Sequence, residues 1–564
     1  MQLLQSLIAR GVIPEADRMR AADAIAAAPE RSPHATLVEK GFVKEDQMLP
    51  VLADEFGMEW VDLTQVKVEP DALAGAPLKL LNRKNLMPIS RHNGTIVVAT
   101  GDPYDAYALD ELTTLTGLQV HPVLGSPKEI SRLIKTHFGV GGDTVSSLVE
   151  DRKDDVEFLE DFESDDSELA KQAQEASVVK LVNEILVEAA NERASDIHIE
   201  HEEEGLRVRY RIDGLLQEQK LPQEINRFAA AIVSRLKIMA RLNIAEKRLP
   251  QDGRIKMRVQ GREVDVRVSI IPMVHGEGMV MRLLDKSRMV FNLKNIGFLP
   301  EIDRRFRQLI DLPHGIIIVT GPTGSGKSTT LYSALNEVKN ETLKIITVED
   351  PVEYQQPGIS QIQTHAKIGL TFAHALRSIL RHDPDVILIG EMRDLETSEA
   401  AIQASLTGHL VFSTLHTNDA PSAFTRMIDM GVEPFLVSTT VEGIMAQRLV
   451  RTICPDCRTT YTPEADDVPI DFPKNGAAGH VLHKGAGCRA CRQSGYRGRT
   501  GIHELMITND YIKDLVVQKT NANVLRMEGI KNGMRTLRQD GWQKVLNGVT
   551  TIDEVGRTTA GDIS

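Results

Sequence analysis

The stretch GIIIVTGPTGSGKSTTLYSALNEV, residues 315–338, restricts the chain to a narrow set of folds. Ile316 to Thr320 form an unbroken β-branched run that enters a glycine-rich turn, and a helix-forming segment leaves it. A strand with no polar face is buried on both sides, which requires helices above and below a mostly parallel sheet. The same unbroken pattern returns in KIITV, DVILIG and HLVFSTL. Parallel strands of this kind bring their carboxyl ends to one edge, where ligands of open α/β sheets sit. Gly321, Gly326, Lys327 and Ser328 satisfy the spacing G-x-x-x-x-G-K-[ST]. Gly321, Gly324 and Gly326 let the backbone wrap phosphates with its N–H groups inward, and the helix N-terminus adds favourable partial charge. Lys327 can reach the β- and γ-phosphates, and the Ser328 hydroxyl suits Mg²⁺. Pro322, Thr323, Ser325 and Thr329 complete the segment. Strand, spacing and helix agree, so a nucleoside triphosphate site is expected rather than an incidental surface turn.

Two further strand ends carry acids. KIITVEDPVEY supplies Glu349, Asp350 and Glu353, and DPDVILIGEMRD supplies Glu391 and Asp394. Hydrolysis needs a metal held at the terminal phosphates and an oriented water, so two carboxylates downstream of a phosphate loop suit those tasks. The residues alone do not say which acid has which task, and helix caps would look the same. TGHLVFSTLHTNDA adds His409 and His416 around the next strand, either as packed histidines or as phosphate sensors.

Before this core the periodicity is different. IHIEHEEEGLRVRYRIDGLLQE alternates from Ile197 to Leu216 with Asp213-Gly214 as a turn, and GRIKMRVQGREVDVRVSIIPMVHGEGMVMRLL alternates again. A mixed α/β domain with antiparallel hairpins is expected over about 175–287. Its strands carry Arg207, Arg209, Arg211, Arg248, Arg254, Arg262, Arg267 and Arg282, most of which read as solvating charges. Residues 139–174 are acidic and poor in branched apolar residues, the composition of a flexible linker. Residues 1–138 read as a small α/β domain.

The 564 residues carry a formal net charge of -13 and only 4% aromatic residues, which argues against a base-stacking, nucleic-acid-binding surface. No window approaches the roughly 18 apolar residues needed to cross a bilayer, and the first residues show no basic region ahead of an apolar stretch and no small-residue cleavage site, so export is not expected. All four cysteines lie in two pairs, Cys454-x-x-Cys457 and Cys488-x-x-Cys491. Paired C-x₂-C spacing suits tetrahedral Zn²⁺ with no position left for substrate water, hence a structural site. Redox cysteines and an iron–sulfur cluster are the rival readings.

Together the blocks SDIHIE, RVRYRIDG, AEKRLPQDGR, GPTGSGKSTT, TVEDPVEY, LIGEMRD, TGHLVFSTLHTNDA and AQRLVR, across about 175–520, resemble the secretion ATPase superfamily. Within it they are similar to the cytoplasmic assembly ATPases of type II secretion and type IV pili. The resemblance implies a multidomain α/β chain: an N-terminal docking domain (1–138), a linker (139–174), a second domain that closes on nucleotide (175–287) and a RecA-like P-loop core (288–564). Within that core, a tetracysteine zinc insertion is implied at 450–500. It also implies hexameric, Mg²⁺-dependent ATP hydrolysis. By position, Glu353 matches the catalytic glutamate and Glu391 the acid beside Mg²⁺ and its waters. His409 and His416 match the histidine box. Arg267 and Arg282 match arginines offered to nucleotide, and Arg377 and Arg381 match further arginines near the interdomain site. Met392 departs from the usual isoleucine, an apolar exchange without expected consequence.

The wording of the shared motifs favours type II secretion, in which the motor drives pseudopilin assembly through an inner-membrane platform protein and its bitopic docking partner. Pilus extension is the alternative, and a nucleic-acid-translocating motor or a nucleotide-gated regulator are more distant ones. The first domain resembles one that docks on the membrane partner. A related version binds cyclic di-GMP through arginine–leucine–glycine openings. Here the openings read LLQSLIARG and RSPHATL without that triplet, so docking is the favoured reading.

Overall fold

A computed structural model describes residues 2–27, 32–64, 66–74, 76–138, 156–158, 176–220, 223–285, 291–464, 468–473 and 481–559. The chain divides into two compact units, residues 1–287 and 288–564. Among the described residues no helix is long and apolar enough to cross a membrane.

The first unit opens with short helices, among them Pro33–Glu39 and Glu45–Phe56, ahead of a three-stranded sheet. There β1 (Leu86–His92) pairs antiparallel with β2 (Thr95–Thr100), which runs parallel to β3 (Gln119–Leu124). Most of the acidic stretch 139–174 lies outside the described residues. Within it, β4 (Val156–Phe158) is a short strand. The remaining strands are β5 (Asp196–Glu202), β6 (Gly205–Ile212), β7 (Leu215–Gln219), β8 (Gln251–Val259), β9 (Arg262–Met273) and β10 (Gly276–Asp285). They form a wholly antiparallel sheet in the order β4-β8-β9-β10-β5-β6-β7. Alternation decides which side each residue takes. On β6, Leu206, Val208, Tyr210 and Ile212 are buried, while Arg207, Arg209 and Arg211 face outward. The buried side packs on the helices Ala176–Asn191 and Ala229–Met239. Asp213 and Gly214, at φ 48° and 88°, turn β6 into β7 with both residues left-handed, as a two-residue hairpin of this twist requires.

The second unit is built on β11 (Gly315–Thr320), β12 (Ile345–Glu349), β13 (Ser360–Gln363), β14 (Val386–Ile389), β15 (Leu410–Leu415) and β16 (Val441–Ile453). Two short strands, β17 (Arg458–Tyr461) and β18 (Leu482–Gly485), precede β19 (Tyr496–Ile507). The main sheet runs β13-β12-β14-β15-β11-β16-β19, parallel except for the β16–β19 pair. Ile316 and Ile318 enter one apolar core and Ile317 and Val319 the other. That two-sided burial is the physical reason these strands show no polar face.

Glu504 on β19 is buried among these elements. Its two oxygens accept from Ala420 N (2.8 Å) and Leu537 N (3.3 Å), where the helices Pro421–Asp429 and Leu537–Leu546 begin. Burial pushes its carboxyl up to about 7, with Asp419 adding to the shift and the N–H donors and Arg526 opposing it. The folded state therefore holds this proton where the unfolded chain has released it. The group's contribution to stability falls as pH rises from about 4.5 to about 7, then levels, a loss on the order of 3 kcal/mol. Denaturant midpoints of the parent and Glu504→Gln should diverge with pH, the parent losing ground to the variant between pH 5 and 8. A pH-independent difference would contradict this.

Candidate functional site

The phosphate loop joins β11 to the helix Lys327–Val338, with Gly326 at the N-cap. Gly321, Gly324 and Gly326 have φ of 144°, 79° and 90°. A Cβ on Gly321 would stand 2.4 Å from the Gln447 carbonyl oxygen, so glycine is needed there for room as well as for backbone angle. Lys327 Nζ lies over the loop and donates to the carbonyls of Gly321 (2.8 Å) and Pro322 (3.1 Å). Burial lowers the Lys327 pKa, and Glu391 opposes that shift. Ser328 is exposed at the first turn of the helix.

Glu391, just past β14, is 9% exposed. Its oxygens pair with Arg393 Nη2 (2.5 Å) and His416 Nε2 (3.3 Å). Thus Lys327, Glu391 and His416 meet at the carboxyl edge of the sheet, since Leu415 pairs with Thr320 immediately before the loop. His409 lies at the other end of the same strand. Its carbonyl accepts from Gly315 N (3.3 Å) and its Nδ1 lies 2.8 Å from the Ala404 carbonyl. The strand's length separates the two histidines, so they do not flank one phosphate position within this chain.

The acids after β12 differ in kind. Glu349 is buried and accepts from Thr347 Oγ1 (2.6 Å), Gln361 Nε2 (3.0 Å) and the Tyr332 hydroxyl. Those bonds make it part of the scaffold. Glu353 is four residues further on, half-buried in the following loop, and its charge acts on Tyr332. Asp350 acts on Arg393. Arg377, on the helix Phe372–Ile379, is exposed and pairs with Glu396 (2.7 Å); Arg381 donates to the Arg377 carbonyl (2.8 Å).

In the first unit, cross-strand pairing aligns Arg254 on β8 with Arg267 on β9, and Arg267 with Arg282 on β10. Asp196 is next in the row and Arg211 after it. Asp196 accepts from Arg282 Nε (3.0 Å) and lies 3.7 Å from Arg211 Nε. Arg254, Arg267, Arg282 and Asp196 help line a concavity of about 450 Å³. Like charges directly opposite one another destabilise a sheet, so a row of cations with one intervening acid is suited to an anion. Arg254 shares this row through the alignment of β8 with β9, a register that no single strand's sequence specifies.

Gln447 was also missed. This buried residue on β16 donates from Nε2 to the Ser325 carbonyl (2.9 Å) and accepts at Oε1 from Thr330 Oγ1 (2.7 Å). Its only sequence signal was its place in AQRLVR, more than a hundred residues from the loop.

The four cysteine sulfurs lie within 4.8 Å of one another. The Cys454–Cys488, Cys457–Cys491 and Cys488–Cys491 separations are 3.8, 3.7 and 3.7 Å. Bonds of about 2.3 Å in a tetrahedral zinc thiolate place sulfurs about 3.8 Å apart, so the set fits. No disulfide joins them. Burial pushes Cys457 up to about 12. At Cys491 burial acts in the same upward sense but is outweighed by the Cys488 and Gly495 N–H donors, leaving it at about 7.

A phosphate loop with acids beyond the neighbouring strand ends, on a parallel sheet of this order, defines a P-loop nucleoside triphosphatase. The profile of the type II/IV secretion system protein family matches residues 171–557, and that of the MshEN domain matches residues 56–144. The chain belongs to the type II/IV secretion system protein family, and is an ATPase of that family. It is 44% identical over 529 residues to the type IV pilus assembly ATPase PilB of Myxococcus xanthus, covering 93% of each chain. It is 43% identical to the type II secretion system protein E of Xanthomonas campestris pv. campestris, covering 99% of this chain and 98% of that one. Among solved structures, the Legionella pneumophila ATPase DotB aligns with 68% of this chain and 96% of its own, at a TM-score of 0.51 and 21% identity, a likeness of fold alone.

Proposed function

We propose that the chain is the cytoplasmic motor of a type II secretion apparatus, a homo-hexamer that hydrolyses ATP to drive pseudopilin assembly. The observation that carries this reading is the nearly end-to-end match to the Xanthomonas secretion protein, which includes the N-terminal region. Pilus assembly is the second reading, favoured by the similar match to the Myxococcus protein. Deleting the gene in its host should abolish release of exported proteins to the medium and leave surface pili intact. Loss of pili with secretion preserved would overturn the choice.

In this reading residues 1–138 dock on the bitopic partner of an inner-membrane platform protein, and 139–174 tether them. Residues 175–287 close on nucleotide, and 288–564 form the ATPase core with its zinc insertion at 450–500. The chain is held peripherally at the membrane through those partners. Docking is kept over cyclic di-GMP binding at 1–138 because the second opening lacks the arginine–leucine–glycine triplet. There Pro33 starts a helix and His34 is buried with its ring stacked on Tyr104, centroids 5.8 Å apart.

The 321–329 segment cradles the phosphates and Lys327 neutralises the β- and γ-oxygens. Ser328 and Glu391 would hold Mg²⁺ and its waters, and the bound ion would supply Lewis-acid polarisation of the terminal phosphate. Glu353 orients the attacking water, and His416 bonds the acid beside the metal. Arg267 and Arg282 bring cationic charge to the γ-phosphate on closure, with Arg377, Arg381 and His409 assigned to neighbouring contacts in the ring. Arginines supplied to the transferring phosphoryl group in this way are worth on the order of 10³ or more in turnover. The double change Arg267→Ala, Arg282→Ala should therefore lower partner-stimulated hydrolysis at least about a hundredfold. Nucleotide should still bind the loop, and circular dichroism should stay as in the parent. Stimulated turnover within a few-fold of the parent would remove both arginines from the mechanism.

A further inference from the structure

We infer that Gln447 is a positioning residue of the phosphate loop, setting the direction of the Gly326 N–H. The inference rests on the reading that residues 321–329 hold nucleotide.

Ala446 pairs with Thr320, which brings Gln447 beside the start of the loop. Its side chain is 2% exposed and spans the loop's far side, from the Ser325 carbonyl at 2.9 Å to the Thr330 hydroxyl at 2.7 Å. A Cβ on Gly326 would stand 2.7 Å from Gln447 Nε2, so amide and loop backbone are in direct contact. In a trans peptide the carbonyl of one residue and the N–H of the next point in opposite directions. Holding the Ser325 carbonyl toward β16 therefore turns the Gly326 N–H toward the hollow of the loop, the sense needed to meet a phosphate oxygen. Thr330 completes the device. The Ser325 carbonyl can only accept, so the amide must present Nε2 to it, and the Thr330 hydroxyl favours that orientation by donating to Oε1. Two side chains and one peptide plane thus fix a donor that the loop, rich in glycine, would not hold still by itself.

The test uses the full chain with Mg²⁺ and N-methylanthraniloyl-ADP as probe. Gln447→Met keeps length and apolar contact but removes both bonds. Its Kd for the probe should rise at least about tenfold, and KM for ATP should rise with it. kcat should stay within about threefold, because the lost donor serves ground state and transition state alike. Thr330→Val, which leaves Gln447 in place, should raise Kd about threefold. The double variant should be no weaker than Gln447→Met, since both bonds serve one peptide. A folded Gln447→Met that binds the probe as the parent does overturns the inference, as do single effects that multiply in the double variant. If Gln447→Met fails to fold, Thr330→Val decides: an unchanged Kd overturns the inference and a raised one supports it. A parent chain that does not bind the probe removes the nucleotide-site reading itself, and this inference with it.

Discussion

Exchanging Glu353 for glutamine is expected to lower kcat at least about a thousandfold while nucleotide affinity stays within about threefold. The substitution keeps shape and removes only the charge that orients and polarises water. The choice of Glu353 over Glu349 is a choice between environments. Glu349 spends its oxygens on Thr347, Gln361 and Tyr332 inside the scaffold, so Glu349→Gln should act mainly through stability. Glu353 is beyond the strand end, on the side that carries the loop. Single-turnover hydrolysis and equilibrium binding of labelled nucleotide separate the two cases. Turnover within tenfold of the parent in Glu353→Gln would remove its assigned role.

The second large effect concerns metal. Cys488→Ser should reduce zinc from about one ion per chain to under about a tenth, because three thiolates bind far more weakly than four. The consequences should extend beyond the cysteines. Phe472 and Leu482, from the segment between the two pairs, share an apolar cluster with Trp542, Val545, Ile552 and Val555 of the C-terminal helices. Asp471 accepts from Trp542 Nε1 (3.0 Å) and from the Arg538 guanidinium (2.5 and 3.0 Å), which lies over the indole ring. Loss of a zinc ion shared by the four thiolates would remove a constraint that ties these partners together. Hydrogen exchange should accelerate by orders of magnitude over 482–491 and over the helix Leu537–Leu546. Undiminished zinc, or protection unchanged in that helix, would contradict the structural assignment.

Much of the fold could be read from periodicity alone. The unbroken apolar runs corresponded to strands buried on both faces, and the alternation from Ile197 to Leu216 to strands with one buried face. Local spacing was equally informative where the chemistry is local: the glycines of the loop and the two cysteine pairs each sit within a few residues of one another. A single segment does not show a site that depends on register or on distant partners. His409 and His416 are close in sequence, yet an extended strand places them at opposite sheet ends. Arg254 joins Arg267 and Arg282 only because three strands align.

By itself, then, the sequence determined the kind of sheet, the phosphate-binding turn and the chelating pairs, because each depends on contacts a few residues apart or on a short period of burial. Tertiary structure decided which acid is consumed by the scaffold, which arginines share a row and which glutamine braces the loop. Those outcomes depend on how strands far apart in the chain align, and that alignment is set by packing of the whole sheet rather than by any one segment.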